Sequence, residues 1–172
     1  MSKRARILVV TGPGKGKTTA ALGMILRNAA RGGHTLLTRF AKVTHSGELD
    51  ILGRLDGVTI FNGDRGMTPP PGHPDFPLHV AAARELFART MAAAPENDMI
   101  VMDEICGIIS RGMLDEDEVV DFLRGLRPDQ TAVLTGRGAG MKLIAVADTV
   151  SEVQCLKHGY MRGITAQKGV EF

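Results

Sequence analysis

The chain is short of the features that would place it outside the ordinary soluble globular class. It has only two cysteines, Cys106 and Cys155, far apart and without CxxC or Cys/His ligand spacing. That excludes a disulfide-dense scaffold and a cysteine-based metal site, and it suits a reducing, cytoplasmic setting with buried or inert thiols. Charge of one sign is also scarce: 21 Lys and Arg against 19 Asp and Glu leave a net charge of +2. A surplus that small gives no argument for nucleic acid or for a membrane surface. No apolar run approaches the length of a membrane span. Ile7 to Val10 follows a basic start but is too short for a signal peptide. Internal repeats and low-complexity tracts are missing, and so is tryptophan. What remains, 44% hydrophobic and 23% charged over 172 residues, is one domain, residues 1–172, large enough to bury a core without staples.

The most informative stretch runs from Ile7 to Gly23. The apolar run Ile7-Leu8-Val9-Val10 feeds into Thr11-Gly12-Pro13-Gly14-Lys15-Gly16-Lys17-Thr18-Thr19 and then into a good helix former. Strand, glycine-rich turn and helix in that order make a phosphate loop, whose backbone N–H groups converge on phosphate oxygens at the helix N-terminus. Gly12, Gly14, Lys15, Gly16, Lys17, Thr18 and Thr19 are therefore the nucleotide-binding candidates, with Lys17 meeting phosphate charge and Thr18 offering a hydroxyl to Mg²⁺. The loop departs from the Walker A pattern, because only Pro13, Gly14 and Lys15 separate Gly12 from the Gly16-Lys17 pair.

Downstream, the patterning predicts helix over Thr18–Arg31, strand over Thr35–Phe40, a short helix at Leu49–Leu52 and strand over Val58–Phe61. Asn62 to Pro77, rich in glycine and proline, reads as a long loop of the kind that is functional or mobile. Helix follows over Leu78–Met91. The apolar strand Met99–Met102 then ends in Asp103-Glu104, a Walker B-like pair of carboxylates at the edge of a parallel sheet. Further helix is expected at Glu116–Leu126, strand at Gln130–Thr135, helix at Lys142–Ala147 and strand at Thr149–Gln154. Arg137, in the turn after the strand at 130–135, is either a phosphate contact or an exposed loop arginine. Strands alternating with helices imply an α/β fold with a mostly parallel central sheet covered on both faces.

A series of blocks in the same order resembles the ATP:corrinoid adenosyltransferases of the bacterial cobalamin-pathway type. They are Thr11 to Gly23 with the shortened loop, Phe40-Ala41-Lys42, Gly47-Glu48, Met102 to Ile105, Arg127-Pro128, Leu134 to Gly138, Ala147 to Glu152, Lys157-His158 and Ala166 to Phe172. The resemblance implies a P-loop NTPase-like three-layer sandwich and a reaction in which Co(I) of a reduced corrinoid attacks C5′ of ATP and releases triphosphate. It implies that the short loop holds the nucleotide in a reversed sense, so that C5′ faces the corrin, and that no side-chain base is needed. Carried over by residue, Thr18 and Glu104 would hold Mg²⁺, with Asp103 as a ligand or a partner behind the ligands. Arg27 would reach the nucleotide or stand as a surface arginine on the first helix. Lys42 joins Arg137 as a phosphate candidate, and His158 is expected to be a satisfied structural histidine. The family also implies a homodimer and a flavin-type reductant protein as partners.

One departure concerns the corrinoid side. Members acting on complete cobalamin carry a glycine-aromatic segment with tryptophan after the third strand, and this chain has none. Phe61, Met67 and Phe76 are the candidates for corrin contact, Phe61 being equally well read as core packing. Few residues precede the first strand, so the extension that covers the nucleotide in some members is not expected here. Two other readings fit the same loop: a P-loop kinase or ATPase, which would yield ADP, and a non-catalytic nucleotide- or corrinoid-binding paralogue, which would yield no product.

Overall fold

The computed structural model describes residues 4–41, 46–63, 65–66 and 68–170. Lys42 and Met67 lie outside the described residues. Among the described residues six strands form one sheet in the order β3-β2-β4-β5-β1-β6: β1 (Arg6–Thr11), β2 (Thr35–Arg39), β3 (Val58–Asn62), β4 (Met99–Asp103), β5 (Thr131–Thr135) and β6 (Thr149–Glu152). Every pairing is parallel.

The apolar runs sit where a parallel sheet needs them. β2 is buried along its whole length, and β4 and β5 are buried after their first residue, because helices cover both faces. On one face α1 (Lys17–Ala29) and α2 (Gly47–Leu52) bring Ala21, Ile25 and Leu52 onto Leu37, Val101 and Val133. On the other lie α3 (Phe76–Ala93), α4 (Ile105–Ser110), α5 (Glu116–Arg124) and α6 (Met141–Val146). Their Leu86, Phe87, Ile105, Val119, Leu123 and Leu143 pack with Ile100, Met102 and Leu134. This is the three-layer α/β sandwich, with a sheet that is wholly rather than mostly parallel. β6, at the edge, is exposed throughout and polar in sequence, which suits a strand with no outer neighbour.

One helix and two boundaries depart from the sequence expectation for identifiable physical reasons, while other element ends shift by one or two residues. α4 is a helix the sequence did not announce: Ile105, Ile108, Ile109 and Gly107 are modest helix formers, and burial of Ile105, Cys106 and Ile108 decides the matter. α3 begins at Phe76 rather than Leu78, taking Pro77 into its first turn, where the missing N–H costs nothing. β6 stops at Glu152, because Val153 turns its backbone to the phosphate loop, accepting from Gly14 N–H at 2.7 Å and donating to the Thr11 carbonyl at 2.8 Å.

Candidate functional site

The site forms at the carboxyl edge of the sheet, where β1 runs into the loop of residues 12–16 and then into α1. Gly12 and Gly16 have φ of +99° and +113°, a left-handed backbone that favours glycine. Gly14 is required for a different reason: a Cβ there would lie 2.6 Å from the Gln154 carbonyl oxygen. The strap after β6 thus presses directly on the loop. Lys15 reaches across to donate to the Val170 carbonyl at 2.8 Å. Lys17 is buried, and its ammonium donates back to the Gly14 carbonyl at 2.6 Å, so the charge is held within the loop.

β4 delivers the acids. Asp103 is 1% exposed, and its Oδ1 accepts from the Thr18 hydroxyl at 2.9 Å and from the Thr135 hydroxyl at 2.6 Å. Thr135 in turn accepts from the Glu104 N–H at 3.0 Å. One threonine at the end of β5 therefore ties both acids into place. Glu104 has φ +67°, which turns the chain out of β4 and into α4 and leaves Glu104 on the wall of the cleft. On the same edge Gly136 (φ +131°) lets the turn after β5 approach α4; a Cβ there would meet the Gly107 nitrogen at 2.8 Å.

These parts surround a cleft of about 650 Å³, a volume typical of small-molecule sites. Gly14, Lys15, Gly16, Lys17, Thr18, Thr19, Glu104 and Arg137 all line it. Gly12 lies beneath the loop against Val153. Arg27 is placed elsewhere: it is exposed in the last turn of α1, about 15 Å along the axis from Lys17, where it complements the helix dipole. His158 borders the cleft, and its Nδ1 accepts from the Tyr160 N–H at 3.2 Å. Phe61 and Phe76 are partly buried against the main core, and Arg89 stacks 4.6 Å from the centre of the Phe61 ring. Neither lines the cleft. Behind them, Phe40, Arg65, Thr68 and His79 border a cavity of about 20 Å³, enough for roughly one water.

Sequence reasoning did not single out Thr135, Leu22 or Ile51, the last two being cleft-lining residues of α1 and α2. Their placement depends on which strands and helices become neighbours, so no local pattern marked them. Among the described residues no group of three or more His, Cys, Asp or Glu could hold a metal. Burial, with Glu104 close by, pushes the Cys106 thiol up to about 12, so it stays protonated; Cys106 and Cys155 are both free.

A sequence model of the family described as ATP:corrinoid adenosyltransferase BtuR/CobO/CobP matches residues 3–172. The chain belongs to that family. Relatives of this adenosyltransferase family include the corrinoid adenosyltransferase of Sinorhizobium sp, 36% identical over 99% of this chain and 81% of its own length. Corrinoid adenosyltransferase CobA of Salmonella typhimurium is 33% identical, and the corrinoid adenosyltransferase of Escherichia coli (strain K12) 35%, each over 99% of this chain and 87% of theirs. Among solved structures, EssC (ATPases 2 and 3) from Geobacillus thermodenitrificans superposes with a TM-score of 0.52 at 13% identity. It matches 97% of this chain, which spans only 36% of that one. This last likeness concerns the fold alone.

Proposed function

We infer that the protein is an ATP:corrinoid adenosyltransferase that joins the 5′-carbon of ATP to cobalt. The observation that carries this is the shortened phosphate loop, locked through Thr18 and Asp103 to the acidic end of β4, in a chain that belongs to the family over nearly its whole length. Co(I) supplies the electron pair that forms the Co–C bond. The C5′–O bond breaks, and its pair leaves on the triphosphate. No proton has to be removed.

The chain's task is to hold C5′ still and to offset the charge of the leaving group. Backbone N–H groups of residues 15–19, at the N-terminus of α1, face the phosphates, the Gly14 N–H being taken by the Val153 carbonyl. Lys17 and Arg137, both on the cleft wall, add full charges, with Lys42 as a third contact; Arg27, exposed at the far end of α1, serves the helix rather than the nucleotide. Thr18, Glu104 and Asp103 fit a magnesium ion, because Mg²⁺ takes hard oxygens, usually one or two carboxylates with phosphate and water completing the shell. Bound there, it would neutralise charge that develops on the triphosphate.

On the corrinoid side, the loop from Asn62 to Pro77 faces the corrin, with Phe61, Met67 and Phe76 as its apolar contacts; Phe61 and Phe76 are partly buried against the core as well. The protein works as a homodimer in the cytoplasm, supplied with Co(I) by a flavin-type reductant protein. Free cysteines suit that compartment, and the exposed Leu156, Tyr160 and Met161 give a second copy an apolar surface to cover. The test is product analysis after incubation with ATP, Mg²⁺ and a chemically reduced corrinoid. Adenosylcorrinoid and triphosphate in equal amounts are expected; ADP would mark phosphoryl transfer, and no product would mark a binding paralogue.

A further inference from the structure

The segment that follows β3 must keep a shape with few groups of its own to fix it. Pro69, Pro70 and Pro71 are three consecutive residues without an N–H, so this stretch has no backbone donor to offer a neighbour. Only its carbonyls can be gripped, by a donor brought from elsewhere. Among the described residues, the backbone hydrogen bonds of residues 69–77 are local, with His73 N–H donating to the Pro70 carbonyl at 3.2 Å and Phe76 N–H to the His73 carbonyl at 2.9 Å. The distant tie is made just before the prolines. Arg111 Nη1 donates to the Thr68 carbonyl at 2.8 Å, across 43 positions of sequence, and Thr68 is buried.

Arg111 is the C-cap of α4, and that end of the helix is closed by a Schellman turn. Gly112 takes φ +70°, its N–H donates to the Ile109 carbonyl at 2.8 Å, and the Met113 N–H donates to the Ile108 carbonyl at 3.1 Å. Ile108 and Met113 are buried in the main core cluster, and both line the small cavity that Thr68 also borders. Helix end and loop are therefore walls of one cavity. The opposite end of α4 is capped by Glu104, which stands on the wall of the nucleotide cleft. From Glu104 to Arg111 the helix covers about 10 Å, and burial of Ile105, Cys106 and Ile108 keeps it from moving apart from the sheet.

We propose that Arg111 is a positioning residue for the second substrate: by gripping the Thr68 carbonyl it holds residues 68–77 at a set distance from the nucleotide cleft, so that a corrin resting on them meets C5′ at bonding range. The proposal rests on the reading that this loop faces the corrinoid. A guanidinium suits the task, because it reaches from the helix end and its charge strengthens a bond to a neutral carbonyl.

Steady-state kinetics of the whole protein with Mg-ATP and chemically reduced cobinamide test this on wild type, Arg111→Ala and Arg111→Lys, beside tryptic cleavage after Arg65 followed by mass spectrometry. Arg111→Ala should raise the KM for cobinamide about tenfold, the size of one hydrogen bond from a charged group. The KM for ATP should stay as in wild type, cleavage after Arg65 should quicken, and Arg111→Lys should recover part of the cobinamide KM. If the two KM values rise together and the melting temperature falls, Arg111 only caps its helix and the proposal is overturned. If cleavage quickens while the cobinamide KM is unchanged, Arg111 holds a loop that does not face the corrinoid, and both readings fall. If neither changes, the proposal falls and the reading of the loop stands.

Discussion

Asp103 is the residue on which the site's geometry turns, since one of its oxygens accepts from two hydroxyls brought by α1 and β5. Thr135→Val keeps the shape and removes the hydroxyl, leaving the Glu104 N–H without its acceptor. A loss of about 1–3 kcal/mol of stability is expected, readable in denaturant titration together with weaker metal dependence; unchanged stability would deny Thr135 its linking role. Lys17→Ala should lower ATP affinity ten- to a hundredfold, since a charge-assisted contact to buried phosphate is worth about 1.5–3 kcal/mol. Wild-type affinity in a folded variant would remove the loop assignment. Glu104→Gln should lose activity and recover part of it at high Mg²⁺. Cys106 carries a pH signature: its folded value near 12 lies above the ordinary 9.0. Its contribution to stability is therefore full below about pH 9 and is lost as pH rises toward 12. Cys106→Ala should flatten that part of the alkaline unfolding curve, and native protein at pH 8 should resist thiolate-selective labelling at Cys106.

At the scale of elements, the strap after β6 shapes the loop. Gly14→Ala would put a methyl group against the Gln154 carbonyl, so the loop or the strap must shift; ATP binding should fall more than thermal stability, and a fall in stability alone would mean that the loop is not what the strap holds. The loop from Asn62 to Pro77 is the segment proposed to face the corrinoid. Without tryptophan it should displace a lower axial ligand poorly, so the protein should handle cobinamide at least as well as cobalamin when both are supplied as Co(I). Efficient use of Co(II)-cobalamin with a weak reductant would contradict this. The strands and the phosphate loop were legible because apolar runs of four or five residues next to glycine turns have few other uses in an α/β chain. α4 was not legible, since its isoleucines favour strands and only burial under β4 and β5 makes it helical. Leu22 lies on the cleft wall only because α2 arrives beside α1.

For the whole molecule, the sheet order explains why distant segments share one site. With β4 and β5 between β2 and β1, the carboxyl edge gathers the phosphate loop, the acids of β4, Thr135 and the turn bearing Arg137, while α2 closes the side toward β2. Asp103 and Glu104 were assigned from their place after an apolar strand, but their link through Thr135 required knowing that β5 pairs with β4. In adenosyl transfer the bond broken is C5′–O rather than a phosphoanhydride, and ATP carrying ¹⁸O in the 5′ bridging position tests this directly. Incubated with the protein, Mg²⁺ and a Co(I) corrinoid, that ATP should yield inorganic triphosphate that retains the label. Label left in ADP or AMP, with orthophosphate or pyrophosphate released, would place the cleavage at phosphorus and contradict adenosyl transfer.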